Sequence, residues 1–343
     1  MTDHRITLAE IAALAEVSPS TVSKVLNQRD DVAASTRRRV QAVLDRENYA
    51  VPGRRMPAVQ DHPLVDFVTS NLDNAYGVEV LRGVVRYAES TDVEVVVSRM
   101  PDARVRRDQP AAWAERVVAS GRRGMILVTS DLTAEELAEF RARSVSLVVI
   151  DPLNPLPGEH VSVGSTNWAG GRTAVDHLIE HGHRRIGYIG GPESAECNTA
   201  RFNGYLGALR AAGIAVRDEY ITGTSFGPEA GIAGLRHFMA LEEPPTAVFA
   251  GSDSTAVGLI QEARRLGVRI PEDLSIVGYD GTSLSEQTVP RLTTVQQPLQ
   301  EMGRTALRLV LSQAAGDDLG SHHIELATHL IERDSVATLT PAP

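Results

Sequence analysis

Several residues able to recognise a small polar molecule stand where apolar runs stop. Asp73 and Asn74 follow "LVDFVTS" (64–70), and Asp151 closes "VSLVVID". Ser252 and Asp253 follow "TAVFAG", and Asp280 closes "LSIVGYD". A carboxylate at such a point suits a bidentate hydrogen bond to vicinal hydroxyls. Tyr76 and Phe226 offer stacking faces, and Arg201 offers a planar fork for a hydroxyl pair or a carboxylate. Each aspartate suits helix capping or a turn equally well, Asp253 above all, because "STAVGLIQEA" follows it. A second constellation lies in "SPSTVSKVLN" (18–27). It contains Lys24, the only lysine of the chain. Small residues at the start of a helix let the backbone approach base edges, and Lys24 could reach guanine acceptors or a phosphate. Thr21 and Ser23 are donors for phosphates or base edges. The competing reading is a small helical bundle with Lys24 as a solvated charge.

The elements that must position these groups fall into two textures. In the first 50 residues, "TLAE" supplies Thr7 as an N-cap with Glu10 three residues on, a capping box. Leu8, Ile11, Ala12, Leu14 and Ala15 follow at helical spacing. Ser18 can cap a second helix with Pro19 at its first position, and Val22, Val25 and Leu26 form its inward stripe. A third helix runs through "STRRRVQAVLDREN", with Val40, Val43 and Leu44 inward. "YAVPGRRMPAVQDHP" then reads as a linker, with three prolines and a glycine. From Leu64 onward, apolar runs at 64–70, 93–98, 124–130, 145–151, 185–191, 246–252 and 274–280 alternate with helical stretches. That alternation predicts parallel sheets covered on both faces, in two lobes.

Composition limits the function classes. At 343 residues, two or three domains are expected. No apolar run approaches the roughly 20 residues of a membrane helix. The start, "MTDHRITLAE", lacks the features of a secretory signal, so a soluble, cytoplasmic protein without membrane contact is expected. One cysteine, Cys197, allows no internal disulfide and no cysteine-cluster zinc site. The net charge of −10 is unevenly spread: residues 1–56 carry +2 and the remainder −12. A basic head on an acidic body suggests one module facing phosphate and another facing something else. No catalytic site, metal or cofactor is expected. "GYIGG" lacks the G-x-G-x-x-G spacing, and no P-loop or nucleophile elbow appears. His181 and His183 are spaced poorly for a helical metal pair, and His322 and His323 alternate faces of an expected strand.

"TLAEIAALAEVSPSTVSKVLN…STRRRVQAVLDRENYAVP" resembles the DNA-binding head of the lactose-repressor (LacI/GalR) family of bacterial transcription regulators. "GPES…ARFNGY", "PTAVFAGSDSTAVGLIQEARRLGVRIPEDLSIVGYDG" and "RLTTVQQPLQEMG" resemble the recurring blocks of that family's periplasmic-binding-protein-like sensor. The resemblance implies a small all-α three-helix head (helix-turn-helix) joined to a two-lobed α/β domain with doubly wound parallel sheets. It implies base-reading positions at Pro19, Ser20 and Lys24, with Thr21, Ser23 and Asn27 in backbone or supporting contacts. Thr7, Ser18 and Arg37 join them as expected DNA contacts. Ligand contacts carry over to Asp151, Arg201, Phe226, Ser252, Asp280 and Leu299, with Asn74 or Tyr76 from the first lobe and Cys197 near the pocket; Asp253 takes the capping role.

The chain departs from the family pattern in places. Glu16 stands where the turn usually has glycine, and Ala33 where the third helix usually has a serine cap. Serine and leucine, at Ser252 and Leu299, replace larger groups common in the pocket. The linker lacks the family's hinge-helix leucine; either Met56 acts as an apolar wedge, or Arg54 and Arg55 insert as minor-groove cations, or the segment is a plain linker. The expected divisions are 1–51 for the head, 52–63 for the linker and 64–340 for the sensor. Within the sensor, 64–161 plus 294–320 form one lobe and 162–293 plus 321–340 the other. The resemblance further implies a homodimer on a double-stranded palindromic operator, with repression relieved or strengthened by a small-molecule effector, a sugar first and a nucleoside or nucleobase second. "TPAP" carries no heptad tail, so a coiled-coil tetramer is not expected.

Overall fold

The computed structural model describes residues 7–26, 29, 32–46, 63–156, 158 and 160–339. The chain forms two compact units, residues 1–61 and 62–343. In the first unit, α1 (Leu8–Leu14), α2 (Pro19–Leu26) and α3 (Ala34–Arg46) pack together. Thr7 caps α1 in a complete capping box: its hydroxyl accepts from Glu10 N–H, and the Glu10 carboxylate accepts from Thr7 N–H. Ile11, Ala12, Ala15, Val22, Val25, Val40, Val43 and Leu44 form the core; the Leu26 side chain lies outside the described residues. Ser18 Oγ accepts from Thr21 N–H at 3.2 Å, the bond expected of an N-cap. Glu16 has φ +53°, so the turn between α1 and α2 does place a non-glycine residue in the left-handed region.

The second unit alternates strands and helices. β1 (Leu64–Thr69), α4 (Ala75–Ala88), β2 (Glu94–Arg99), α5 (Ala103–Asp108), α6 (Pro110–Ala119), β3 (Arg122–Val128), α7 (Ala134–Ala142), β4 (Ser146–Ile150) and β5 (Val161–Ser165) come first. They are followed by α8 (Asn167–Glu180), β6 (Ile186–Ile189), α9 (Glu196–Ala211), β7 (Ile221–Thr222), α10 (Pro228–Met239), β8 (Ala247–Ala250), α11 (Asp253–Leu266) and β9 (Ser275–Asp280). The chain ends with α12 (Leu284–Gln287), β10 (Thr293–Gln296), α13 (Leu299–Ala315), β11 (His323–Leu326) and β12 (His329–Ile331). Two six-stranded sheets result, ordered β11-β5-β4-β3-β1-β2 and β12-β10-β9-β8-β6-β7. Every pairing is parallel except β12 on β10.

Alternation along the strands explains the apolar runs. In β1, Val65 and Phe67 face one core and Val68 the other; in β3, Ile126 and Val128 oppose Met125 and Leu127. Both faces of each sheet are thus buried, the condition that makes parallel strands read as continuous hydrophobic stretches. In α5, Arg106 is buried with Glu136 of α7 and Asp131 as ion-pair partners and with its guanidinium over the Trp113 ring.

Three crossings join the two sheets, and each comes later in the chain than expected. β5 keeps 162–165 in the first sheet, so the chain leaves it only after Ser165. β10 keeps 294–296 in the second sheet, and β11 keeps 323–326 in the first. The reason is compositional. "VSVGS", "TTVQ" and "HIEL" are short, with a polar residue or glycine at half or more of their positions, and they gain strand character from their neighbours. The helices α5 and α6 likewise add to the elements expected.

Candidate functional sites

A cleft of about 500 Å³ opens beyond the carboxyl ends of both sets of strands. Its walls come from the segments after β1, β3 and β4 on one side and from those after β6, β7 and β8 and the end of β9 on the other. These flank the β1/β3 and β6/β8 positions where strand order reverses, the usual location for ligands in doubly wound sheets.

Asn74, Tyr76, Asp151, Cys197, Arg201, Phe226, Ser252 and Asp280 all line this cleft. Asn71, Asp73, Thr129, Glu229 and Ser254 line it too. Asp73 belongs to the strand-end set read from the sequence, and Thr129, which follows β3 in "GMILVTS", obeys the same strand-end rule. Glu229 opens α10 and offers no such signal. Leu299 does not line the cleft. It is buried in the first sheet's core with Val80, Val84 and Met302, because α13 packs against α4 as soon as it begins.

The backbone is strained at three residues of the cleft. Thr129, Asp151 and Asp280 have φ of +46°, +44° and +111°, a region costing non-glycine residues on the order of 1–3 kcal/mol each. Tyr76 Oη donates to Asp151 Oδ2 at 2.5 Å. Burial raises the Asp151 carboxyl above its ordinary range, while the Tyr76 hydrogen bond and the Arg201 charge pull the other way. Asp280 is raised further. Burial is the main cause, opposed by Arg201 and reinforced by the nearby Asp253. The Cys197 thiol is pushed up to about 12, chiefly by burial, so it is a neutral wall of the cleft at ordinary pH.

Arg201 is fully enclosed. Its guanidinium carbon lies 3.8 Å from the Tyr279 ring centroid and 5.4 Å from that of Phe226. Nε donates to Asn167 Oδ1 at 2.8 Å and Nη1 to the Gly251 carbonyl at 2.7 Å. The Phe226 ring is seated on Gly191, where an added Cβ would come within 2.3 Å of it.

Two capping assignments change. Ser252, not Asp253, caps α11: its Oγ accepts from Thr255 N–H at 3.0 Å and donates to the Phe226 carbonyl at 2.7 Å. Asp253 accepts from Thr282 N–H, Thr282 Oγ1 and Thr294 Oγ1 at 2.7, 2.8 and 2.6 Å, tying the loop after β9 to β10. Asn74 caps α4 through Gly77 N–H while also facing the cleft.

In the head, Ser18, Pro19, Ser20 and Lys24 are exposed on α2, with Thr21 and Ser23 half-buried. The Ser18 hydroxyl bonds those of Ser20 and Thr21 at 2.7 and 2.9 Å. Arg37 donates to the Arg29 carbonyl, so this guanidinium braces the segment ahead of α3. Thr7 spends its hydroxyl in the capping box. Asn27, Arg54, Arg55 and Met56 lie outside the described residues.

His183 and His323, two of the histidines noted in the sequence, take part in hydrogen bonds within the second unit. His183 is buried between Thr246 Oγ1 (3.0 Å) and the Ala337 carbonyl (3.1 Å), and burial lowers its pKa. His323, in β11, pairs with Ser162 Oγ at 2.8 Å. Among the described residues, no group of three His, Cys, Asp or Glu could hold a metal, and no helix is long and apolar enough to cross a membrane.

Comparisons with known proteins agree with this arrangement. Residues 7–51 match the bacterial regulatory proteins of the lacI family, and residues 175–336 match the periplasmic binding protein-like domain. The HTH-type transcriptional repressor CytR of Escherichia coli (strain K12) is 33% identical over 338 residues, 97% of each chain. A solved complex of the transcriptional regulator CelR with cellobiose is 29% identical, covering 96% of this chain and 100% of that one, with a TM-score of 0.72. The lac repressor dimer bound to operator and the anti-inducer ONPF is 25% identical, covering 97% and 100%, with a TM-score of 0.70. A helix-turn-helix head, two parallel sheets and a cleft at their strand ends, matched along nearly the whole chain, place this protein in the LacI family of bacterial regulatory proteins.

Proposed function

We propose that the chain is a transcriptional repressor that binds a palindromic operator as a homodimer and changes its DNA affinity when a neutral, hydroxyl-rich small molecule occupies the cleft. The observation that carries the effector class is the charge of the walls. Four carboxyl groups, those of Asp73, Asp151, Glu229 and Asp280, line the cleft with one guanidinium, Arg201, which is already bonded to Asn167 and Gly251. An anionic ligand would meet surplus negative charge in a site partly shielded from water, where like charges repel strongly. Vicinal hydroxyls suit the same walls, donating to the carboxylates while a flat or apolar face lies against Phe226 or Tyr76. A sugar and the ribose of a nucleoside share that chemistry. The CelR relative is solved with cellobiose, which supports the sugar arm.

On the DNA side, α2 presents Pro19, Ser20 and Lys24 to the major groove, and a two-fold pair of such heads reads two half-sites. Such work belongs in the cytoplasm, where operator DNA is found. The lobe divisions proposed for the sensor follow the crossings after Ser165, Gln297 and Leu326.

The test is a thermal-shift panel of neutral sugars, nucleosides and their phosphorylated forms, followed by operator titration. A ligand at 100 times its Kd should stabilise the protein by about 2.7 kcal/mol. Tighter binding of the phosphorylated forms would refute the effector class. Failure to prefer any palindromic duplex over random DNA across a salt series would refute the repressor reading.

A further inference from the structure

Two charged residues of the cleft, Arg201 and Asp280, are joined by a second route that avoids the cleft. Asn167 Oδ1 accepts from Arg201 Nε at 2.8 Å, and Asn167 Nδ2 donates to the Ser165 carbonyl at 3.1 Å. Ser165 Oγ donates to Gln297 Oε1 at 2.6 Å, and Gln297 Nε2 donates to Asp280 Oδ1 at 2.8 Å. The Gln297 N–H also donates to the Asp280 carbonyl at 3.0 Å. The ring closes where Arg201 Nη1 stands 3.8 Å from Asp280 Oδ1. All five side chains are buried.

The position of this ring in the chain is what gives it meaning. Ser165 is the last residue of β5 and sits at the first crossing between the sheets; Gln297 lies in the second, between β10 and α13. The third crossing is tied to the first, since Thr166 N–H donates to the Leu326 carbonyl at 2.9 Å and Thr328 N–H to Thr166 Oγ1 at 3.0 Å. Asp280 and Arg201 belong to elements of the second sheet's side, whereas Ser165 ends a strand of the first.

We infer that Gln297 is a positioning residue that couples the occupancy of Asp280 to the conformation of the crossings, and so sets the size of the effector response separately from effector affinity. This rests on the repressor reading above. A ligand hydroxyl donating to Asp280 draws on the same carboxylate that accepts from the Gln297 amide, and so weakens or redirects that bond. The Gln297 side chain is buried and its carbonyl is held by Ser165, so a change at one end of the amide is felt at the other. The coupling is a differential interaction between two arrangements of the crossings, which is the thermodynamic content of allostery.

The first arm of the test needs no ligand. In the full-length protein, Asp280→Ala should raise amide hydrogen exchange at Thr166 and Thr328 tenfold or more, although Asp280 touches neither. Adding Asp280→Ala to a Gln297→Leu background should change it less than twofold. Unchanged exchange in Asp280→Ala overturns the inference. The second arm uses cellobiose and adenosine as probes, with an operator selected by the wild-type protein. Gln297→Leu should keep the probe's Kd within threefold and cut its effect on operator affinity at least fivefold. A full response in Gln297→Leu, or loss of probe binding, overturns the inference. Ser165→Ala, which removes one hydroxyl, carries the same expectation in milder form if Gln297→Leu does not fold. A wild-type protein that binds neither probe counts against the effector class, while the exchange arm still decides the relay.

Discussion

Arg201 Nη1 and Asp280 Oδ1 stand 3.8 Å apart, close enough to attract and too far to share a hydrogen bond. Each is fixed by other partners, Arg201 by Asn167 and Gly251 and Asp280 by Gln297. Both groups are thus held in place without a ligand, so the hydroxyl pair proposed above would meet a donor and an acceptor already positioned. Asp280→Ala and Arg201→Ala should each abolish the effect of the effector on operator binding and leave ligand-free operator affinity within about twofold. Fluorescence anisotropy with labelled operator measures both quantities. A normal effector response in both variants would show that the ligand sits elsewhere.

The raised pKa of Asp280 gives effector binding a pH dependence with a fixed sign. Below its raised folded value the carboxyl is protonated in a growing share of empty molecules. A ligand hydroxyl donating to the carboxylate favours the ionised form, so binding releases a proton and affinity rises with pH through that window. Calorimetry in two buffers of different ionisation enthalpy should detect the proton. An affinity that falls with pH over the same range would mean that Asp280 donates to the ligand as a neutral acid.

Arg106 is a stability residue with no part in the cleft. It is buried between Glu136 and Asp131, and Glu136 is itself buried. Arg106→Met should destabilise the sensor by about 3–5 kcal/mol, because it strands a buried carboxylate. The double variant Arg106→Met/Glu136→Leu should recover much of that loss. Urea denaturation followed by tryptophan fluorescence reads the effect, since Trp113 lies beside the guanidinium.

Glu16 holds φ +53° in the helix-turn-helix turn. Glycine adopts that conformation without a Cβ penalty, at some cost in unfolded-state entropy. Glu16→Gly should stabilise the head by about 0.5–1 kcal/mol, the difference between left-handed strain and that entropy. Native-state exchange at the Ala15 and Val17 amides, which bond to the Ile11 and Ala12 carbonyls, measures it in the full-length protein. Faster exchange in the variant would contradict the prediction.

Lys24 is exposed on α2. Lys24→Ala should weaken operator binding by about 1–3 kcal/mol and relax specificity at one base position if the ammonium reads a base edge. An equal loss on all duplexes, with a shallower salt dependence, would make it a phosphate anchor instead. A titration on operator and random duplex at three salt concentrations separates the two.

The amino-acid sequence by itself determined the capping box at Thr7 and Glu10, the Ser18–Pro19 start of α2 and the long parallel strands. Caps and apolar periodicity are local, and their physics acts within a few residues. Asn74, Asp151, Ser252 and Asp280 were legible as cleft residues because parallel strands deliver their carboxyl ends to one edge wherever they occur, whereas Cys197 came from the family resemblance alone. Tertiary structure decided what locality cannot. The strands 161–165, 293–296 and 323–326 exist through their neighbours, which moved all three crossings later in the chain. Leu299 turned into the first sheet's core because α13 must pack against α4. The cap of α11 fell to Ser252 and the tie between Thr282 and Thr294 to Asp253, according to which oxygen reached the Thr255 amide. The route from Asp280 through Gln297 and Ser165 to Asn167 joins positions up to 132 residues apart in a single contact, a distance no sequence periodicity spans.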